Sequence, residues 1–416
     1  MAKEIVVLGG GTGGTLVANR LRRLLDRDAA QITVIDSDDE HLYQPGLLFV
    51  PFGRAKPASL TRSRYRQFGD GVGFLRATVD RVDLDSGEVL LAGGMRVGYD
   101  ALVVATGARL IPEETEGLTG PGWMKKVFTF YTLDGAVALE EALSGFTGGR
   151  IAVAIMDMPV KCPVAPLEFC FLADAYFRER GIRDRVDLTY VTPLDGAFTK
   201  PVCNRELSGL LVDKGVSLVT EFNTGEVDGD GGRLVSFDGR EVPFDLAVVI
   251  PLHGGQAYVG RSPGLGDDLG FVPADQRTLQ SKARPNVFVI GDAADIPTSK
   301  AGSVAHFEGE IVAANIVSYL AGEPLQESFD GHTNCFIESG SGKALLIDFN
   351  YGTEPLTGHF PGRIGLPLLR QSRLNHLGKL AFRWLYWHVL LPGRRIPAVH
   401  STMPAAGKHL PARTSR

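Results

Sequence analysis

The chain has 416 residues, 44% of them hydrophobic and 22% charged, which is the composition of a globular protein of about two or three domains. Its net charge of −5 offers no case for nucleic acid as a partner. Four cysteines in so long a chain make no disulfide scaffold, so a cysteine with a task is redox-active or metal-binding, and the absence of CxxC or Cys/His pairs at ligand spacing argues against zinc.

From the start, Met1-Ala2-Lys3-Glu4 runs straight into an apolar strand over 5–8, without the pattern of a signal peptide. The turn Gly9-Gly10-Gly11-Thr12-Gly13-Gly14 follows, then helical spacing over 15–25, then a second buried strand over 32–35 that ends at Asp36. A strand, a Gly-x-Gly-x-x-Gly turn, a helix and an acidic residue about 20 positions later together mark a dinucleotide site. Gly9 permits the tight turn, Gly11 lets the backbone approach a pyrophosphate with Thr12 beside it, Gly14 lets helix pack on strand, and Asp36 is placed for an adenosine ribose.

Residues 72–108 alternate like a β-meander and close on Ala105-Thr106-Gly107. A second α/β unit is expected with strands over 151–155, 186–191 and 246–250, followed by a strand over 287–290 that ends in Gly291-Asp292 and a helix over 304–320. The Ala-Thr-Gly turn, the late Gly-Asp and the first glycine turn, in this order, match the pattern of flavoproteins with two dinucleotide-binding domains, and they select FAD over a bare nicotinamide.

The second unit departs from that pattern. Its first strand leads into Met156-Asp157-Met158-Pro159-Val160-Lys161, and no glycine lies between Arg150 and Gly181, so a second pyrophosphate has no loop to approach. Cys162 stands there instead, followed by Pro163 at what reads as the start of a helix. The helix dipole and Lys161 would lower its thiol pKa. Cys170, between Phe169 and Phe171, and Cys203 read as core residues.

The motif Lys161-Cys162-Pro163-x-Ala165-Pro166-x-Glu168 resembles the first redox-cysteine motif of sulfide:quinone oxidoreductases, and His332-Thr333-Asn334-Cys335-Phe336-Ile337-Glu338 resembles the region of their second. Tyr43-Gln44-Pro45-Gly46 and Ser299-Lys300-Ala301-Gly302 are similar to loops around the flavin in that family, and the resemblance covers about residues 4–395. It implies an FAD enzyme in which hydrosulfide attacks a disulfide or sulfur-bridged link between Cys162 and Cys335, with electrons passing through the flavin to a membrane quinone. It also implies a general-base role for Glu168, although six positions of regular helix would put Glu168 and Cys162 on different faces. Lys300, from its place relative to Gly291-Asp292, is expected near the flavin pyrimidine. Many members carry a third cysteine upstream; residues 127–132 have none, so this is a two-cysteine branch, or Cys203 or Cys170 substitutes.

Toward the end, Arg373, His376, Lys379 and Arg383 share one helical sector, with Leu374, Leu377, Ala381, Phe382, Trp384, Leu385 and Val389 opposite. With Trp384, Tyr386 and Trp387, and with Arg394-Arg395 following, this reads as an amphipathic helix lying on an anionic bilayer surface. No apolar run approaches the ~18 residues of a spanning helix. The last dozen residues read as frayed.

The expectation is therefore an α/β protein with two Rossmann-like domains. Residues 1–112 and 275–325 form an FAD-binding domain, and 113–274 a second Rossmann-like domain without the nicotinamide glycine loop. Residues 326–416 form a C-terminal region carrying the second cysteine and the membrane and quinone surface. A peripheral membrane location follows, and a homo-oligomer is compatible with the sequence. Two other functions fit parts of the pattern: a type II NADH:quinone dehydrogenase, which needs the missing glycine loop, and a flavoprotein that senses sulfide or redox state without turnover.

Overall fold

The computed structural model describes residues 2–396 and 399–410. Two five-stranded parallel sheets form its scaffold. The first runs in the order Val287–Val289, Ala101–Val104, Lys3–Leu8, Ala30–Asp36, Val72–Arg76. Its strands are apolar on both faces because both are covered. Ile5 and Val7 pack with Leu16, Val17 and Leu21 of the helix Thr12–Leu24, and with Phe307 and Ile311 of the helix Gly302–Ala321. Val6 and Leu8 point the other way, onto Val82, Val89 and Leu91. Those residues belong to an antiparallel sheet of Val79–Asp83, Glu88–Leu91 and Arg96–Gly98. The expected meander over 72–108 is thus shorter: its two ends are drawn into the parallel sheet, Ala101–Val104 as a fully buried strand and Val72–Arg76 as a partly exposed edge strand.

The second sheet runs Val127–Phe128, Leu246–Ile250, Gly149–Ile155, Val186–Val191, Val216–Val219. In each sheet one strand, Lys3–Leu8 or Gly149–Ile155, has the next parallel strand of the chain on one side and a much later one on the other, and the crevice at its carboxyl end, where the strand order reverses, is where such folds bind ligands. The glycine turn follows the first strand and the Cys162 loop follows the second. The two units are tied together by antiparallel pairing of Arg109–Leu110 with His253–Gly254, and by the Cys162 N–H, which donates to the Lys300 carbonyl at 2.8 Å.

Beyond them, the hairpin Thr333–Gly340 with Lys343–Phe349 packs on the helix Ala165–Glu179, placing Cys335 opposite Ile347. The helix Arg373–Leu385 then leads into a π-helical turn, Tyr386–Leu390. Here the sequence expectation needs correction. Tyr386 and Trp387 are buried, not interfacial: their rings pack on His41 and Tyr43. The Tyr386 hydroxyl lies 2.7 Å from both His41 Nε2 and Thr12 Oγ1. Phe382 is also half-buried, at the cavity. Three of the four residues of the polar sector turn inward, where His376 meets Glu338, Lys379 meets Glu168, and Arg383 donates to the Ser59 carbonyl, while Arg373 is exposed. Leu374, Leu377, Leu380 and Trp384 face out, each at least half exposed (53%, 59%, 50% and 61%). The tail is not frayed as far as it is described: Lys408 is buried with its ammonium 2.9 Å from the Asp348 carboxylate, and the His409 N–H donates to the Thr357 carbonyl. Residues 411–416 lie outside the described residues.

Three buried histidines make the fold acid-sensitive. Burial, with a smaller push from Arg64, holds His41 down to about 4; burial likewise takes His253 and His306 down to about 3. The folded chain keeps these imidazoles neutral while the unfolded chain protonates them near 6.5, so stability falls as pH drops from 6.5 toward 4. The limiting slope is about 1.4 kcal/mol per pH unit for each group. Urea unfolding at pH 7 and pH 5 is expected to show the loss; equal stability at both would contradict it.

Candidate active site

One cavity of about 650 Å³ joins the two crevices. Gly9, Gly11, Thr12, Asp36, Ala105, Thr106, Gly107, Gly291, Asp292 and Lys300 line it, as do Cys162, Glu168 and Cys335. Gly14, the remaining predicted position, sits behind the turn: a Cβ there would lie 1.8 Å from the Gly9 carbonyl oxygen, the close packing its motif demands. At Gly11 a Cβ would meet nothing within 4 Å, so its backbone is open to the cavity.

The cavity suits FAD on two observations. The helices Thr12–Leu24 and Gly302–Ala321 both start at its wall, and neither has a side-chain cap. Their first N–H groups and dipoles are therefore available to a ligand with negative oxygens. Around the turn, Asp36 accepts from the Gly10 N–H at 2.6 Å and pairs with Arg64 at 2.5 Å. A Cβ at Gly10 would collide with the Arg64 chain at 2.5 Å, so that glycine serves the arginine and not the ligand. Lys300 donates to the Asp292 and Ala294 carbonyls at 2.9 and 2.8 Å, holding the turn that carries Asp292 against the cavity. Behind that turn, buried Glu308 accepts from the Gly291 N–H at 2.6 Å, and burial raises its carboxyl to about 7.

The Cys162 loop is held differently from expectation. The helix begins at Ala165, not at the cysteine, with Pro166 in its first turn. Cys162 precedes it in the left-handed region, φ 47°. Its carbonyl accepts from the Ala165 N–H at 2.9 Å and from the Tyr131 hydroxyl at 3.1 Å, which supports an unfavourable backbone conformation. Tyr131 also donates to the Lys161 carbonyl. Consequently the thiol pKa is not lowered. Burial raises it well above the usual thiol value, and the Cys335 and Glu168 charges push the same way. Cys335 is pushed up to about 12, by burial first and then by Glu168, against the opposing Lys379. The two thiols are not bonded to each other, and each faces the shared cavity. Because Cys162 lies outside the helix, the six-residue spacing does not separate it from Glu168, and both reach the same space.

Glu168 is buried, accepts from the Glu338 N–H at 2.6 Å, and pairs with Lys379. Burial raises its carboxyl, while Lys379 and the Glu338 N–H oppose the rise. Burial works to lower Lys379, but Glu168 and Glu338 outweigh it and the ammonium is held above its usual value. Sequence reasoning missed Lys379, Glu338, His376 and Tyr131. The basic sector of the last helix is the signal for the lysine and histidine, although helical spacing alone assigns it to a membrane surface. Cys170 and Cys203 are buried in the core, as expected.

This arrangement is that of a two-nucleotide oxidoreductase whose second crevice holds a thiol. The chain belongs to the pyridine nucleotide-disulphide oxidoreductase family, whose model matches residues 3–309, and the FAD expectation is borne out by that membership. Among curated proteins it is 27% identical over 401 residues to the mitochondrial sulfide:quinone oxidoreductase of Mus musculus, and 28% identical over 400 residues to that of Dictyostelium discoideum. Each alignment covers 94% of this chain and 86% of the relative. The solved sulfide:quinone oxidoreductase of Aquifex aeolicus shares the fold with a TM-score of 0.80 at 21% identity, over 94% of this chain and 92% of that one. The resemblance read from the sequence is borne out by these relatives.

Proposed function

We propose that this chain is an FAD-dependent sulfide:quinone oxidoreductase in which Cys162 and Cys335 take up the sulfur. The observation that carries this is one cavity lined at once by the glycine turn, both thiols and the Glu168–Lys379 pair, with the second crevice filled by a cysteine loop that has no glycine for a nicotinamide pyrophosphate. FAD, when bound, accepts the electron pair from sulfur and passes it to quinone.

The chain's own residues do the rest. The competent resting form is a disulfide or sulfur-bridged link between Cys162 and Cys335, which hydrosulfide attacks. One cysteine keeps the incoming sulfur as a persulfide, and the other leaves as a thiolate, which the Lys379 ammonium stabilises. Tyr131 and the Lys300 carbonyl fix the Cys162 loop so that the sulfur stays over the cavity. Glu168 is placed to move a proton at the sulfur. Peptide mapping of the oxidised protein before sulfide is added, with free thiols alkylated, is expected to give Cys162 and Cys335 peptides joined directly or through sulfur; free thiols on both would contradict the reading.

Quinone enters past Phe336 and Phe382, which line the cavity beside the outward apolar face of the last helix. Among the described residues no helix is long and apolar enough to cross a membrane, and the proposed contact is peripheral. Leu374, Leu377, Leu380 and Trp384 form its apolar contact, with Arg394 and Arg395 exposed after the helix. Replacing Leu377 and Trp384 together by glutamate is expected to weaken vesicle binding roughly 100-fold, at about 1.5 kcal/mol of lost burial for each. Unchanged sedimentation with anionic vesicles would exclude this face.

A further inference from the structure

Sulfide oxidation by quinone draws protons from water. Hydrosulfide gives up two electrons and one proton to leave a sulfur atom, while quinone takes two electrons and two protons to become quinol. Each turnover therefore needs one proton from bulk, delivered to a cavity whose mouth the proposed membrane face would cover.

We infer that His376 and Glu338 are the inlet for that proton, relaying it from solvent to the Lys379–Glu168 pair at the cavity wall. The inference rests on the quinone reading above, and a chain of polar contacts runs outward from the cavity wall. Lys379 and Glu168 line the cavity; Glu338 and His376 do not. Glu338 is only 1% exposed at its side chain, yet its carboxylate accepts from His376 Nδ1 at 2.9 and 3.1 Å, and its N–H holds Glu168 at 2.6 Å. The His376 side chain is 22% exposed, so its ring touches both water and the buried carboxylate. His376 and Lys379 sit at i and i+3 on one face of the helix Arg373–Leu385, and both reach the strand Thr333–Gly340, His376 at the Glu338 carboxylate and Lys379 at the Phe336 carbonyl. Histidine is the side chain whose charge changes near neutral pH, which suits a group that loads from water and unloads inward. Glu338 and Lys379 do not form an ion pair, so the last transfer between them requires a bridging water or movement of the lysine chain.

A merely structural role would be to neutralise Glu338, and the test separates the two. His376→Gln keeps a donor for Glu338 but carries no proton; His376→Ala opens the route to small acids. In the full-length, FAD-loaded protein, flavin is reduced anaerobically, once by sulfide and once by stoichiometric dithionite, and reoxidation by a soluble quinone is followed. Both variants are expected to accept electrons from sulfide within about twofold of wild type and to reoxidise roughly 10² times more slowly, the range for loss of a proton donor. Added imidazole is expected to restore His376→Ala, in proportion to imidazolium. Wild-type reoxidation in His376→Gln overturns the inference, as does slow reoxidation of His376→Ala that imidazole leaves unchanged. The dithionite arm judges the inlet without sulfide, so a chain that fails to react with sulfide but still shows imidazole rescue refutes the sulfide assignment and keeps the relay.

Discussion

Replacing Cys335 by serine is expected to slow sulfide-driven bleaching of the flavin by roughly 10³-fold or more, the scale on which loss of an essential nucleophile is felt. The basis is geometric. Cys335 is on the hairpin strand Thr333–Gly340, Cys162 is on the loop after the second sheet, and the fold brings both to one cavity. The Lys379 ammonium opposes the burial that raises both thiols, so a thiolate released from either is stabilised at the cavity wall. A serine hydroxyl can neither bridge sulfur nor leave as readily. Retained FAD with unchanged bleaching would remove Cys335 from the chemistry.

The second large effect is expected from Lys379→Met. Taking the ammonium away leaves the Glu168 carboxylate buried and opposed only by the Glu338 N–H, and breaking such a pair costs about 3–5 kcal/mol. In that variant burial drives Glu168 to hold a proton in the folded state at pH values where the unfolded chain has released it. Stability then declines as pH rises above the unfolded carboxylate value, so the deficit is larger at pH 8 than at pH 5. Adding Glu168→Gln to Lys379→Met is expected to recover most of the loss, because the stranded charge disappears. Denaturant unfolding of the single and double variants at both pH values checks this; a deficit independent of pH and of Glu168 would show that the lysine stabilises by packing alone.

What could be read from the chain depended on how local each signal was. Gly9, Gly11 and Gly14 announce their task because a turn and a helix start are built from consecutive residues, and the burial of Gly14 against the Gly9 carbonyl repeats the motif's logic. The cysteines were legible as a pair only through resemblance, since nothing in their spacing brings residues of two different folding units together. The chemistry of Cys162 is not legible from Pro163, which has the form of a first helical residue, whereas the helix waits until Ala165 and the half-buried thiol stays outside its first turn. The last helix shows the same limit. Its two sectors were read correctly, but helical spacing does not say which side faces the protein. Lys379 turned inward because Glu168 and Glu338, from distant segments, are buried beneath it. Tyr386 and Trp387 turned inward because the helix continues into a π-turn over His41 and Tyr43.

The central claim is that sulfur enters the crevice where a nicotinamide would otherwise dock. It is tested most directly by titrating the purified, FAD-loaded protein anaerobically with sulfide and, separately, with NADH, then adding a soluble quinone. Sulfide is expected to bleach the flavin and quinone to restore its colour, while NADH leaves the oxidised spectrum in place. Rapid bleaching by NADH with none by sulfide would contradict the account.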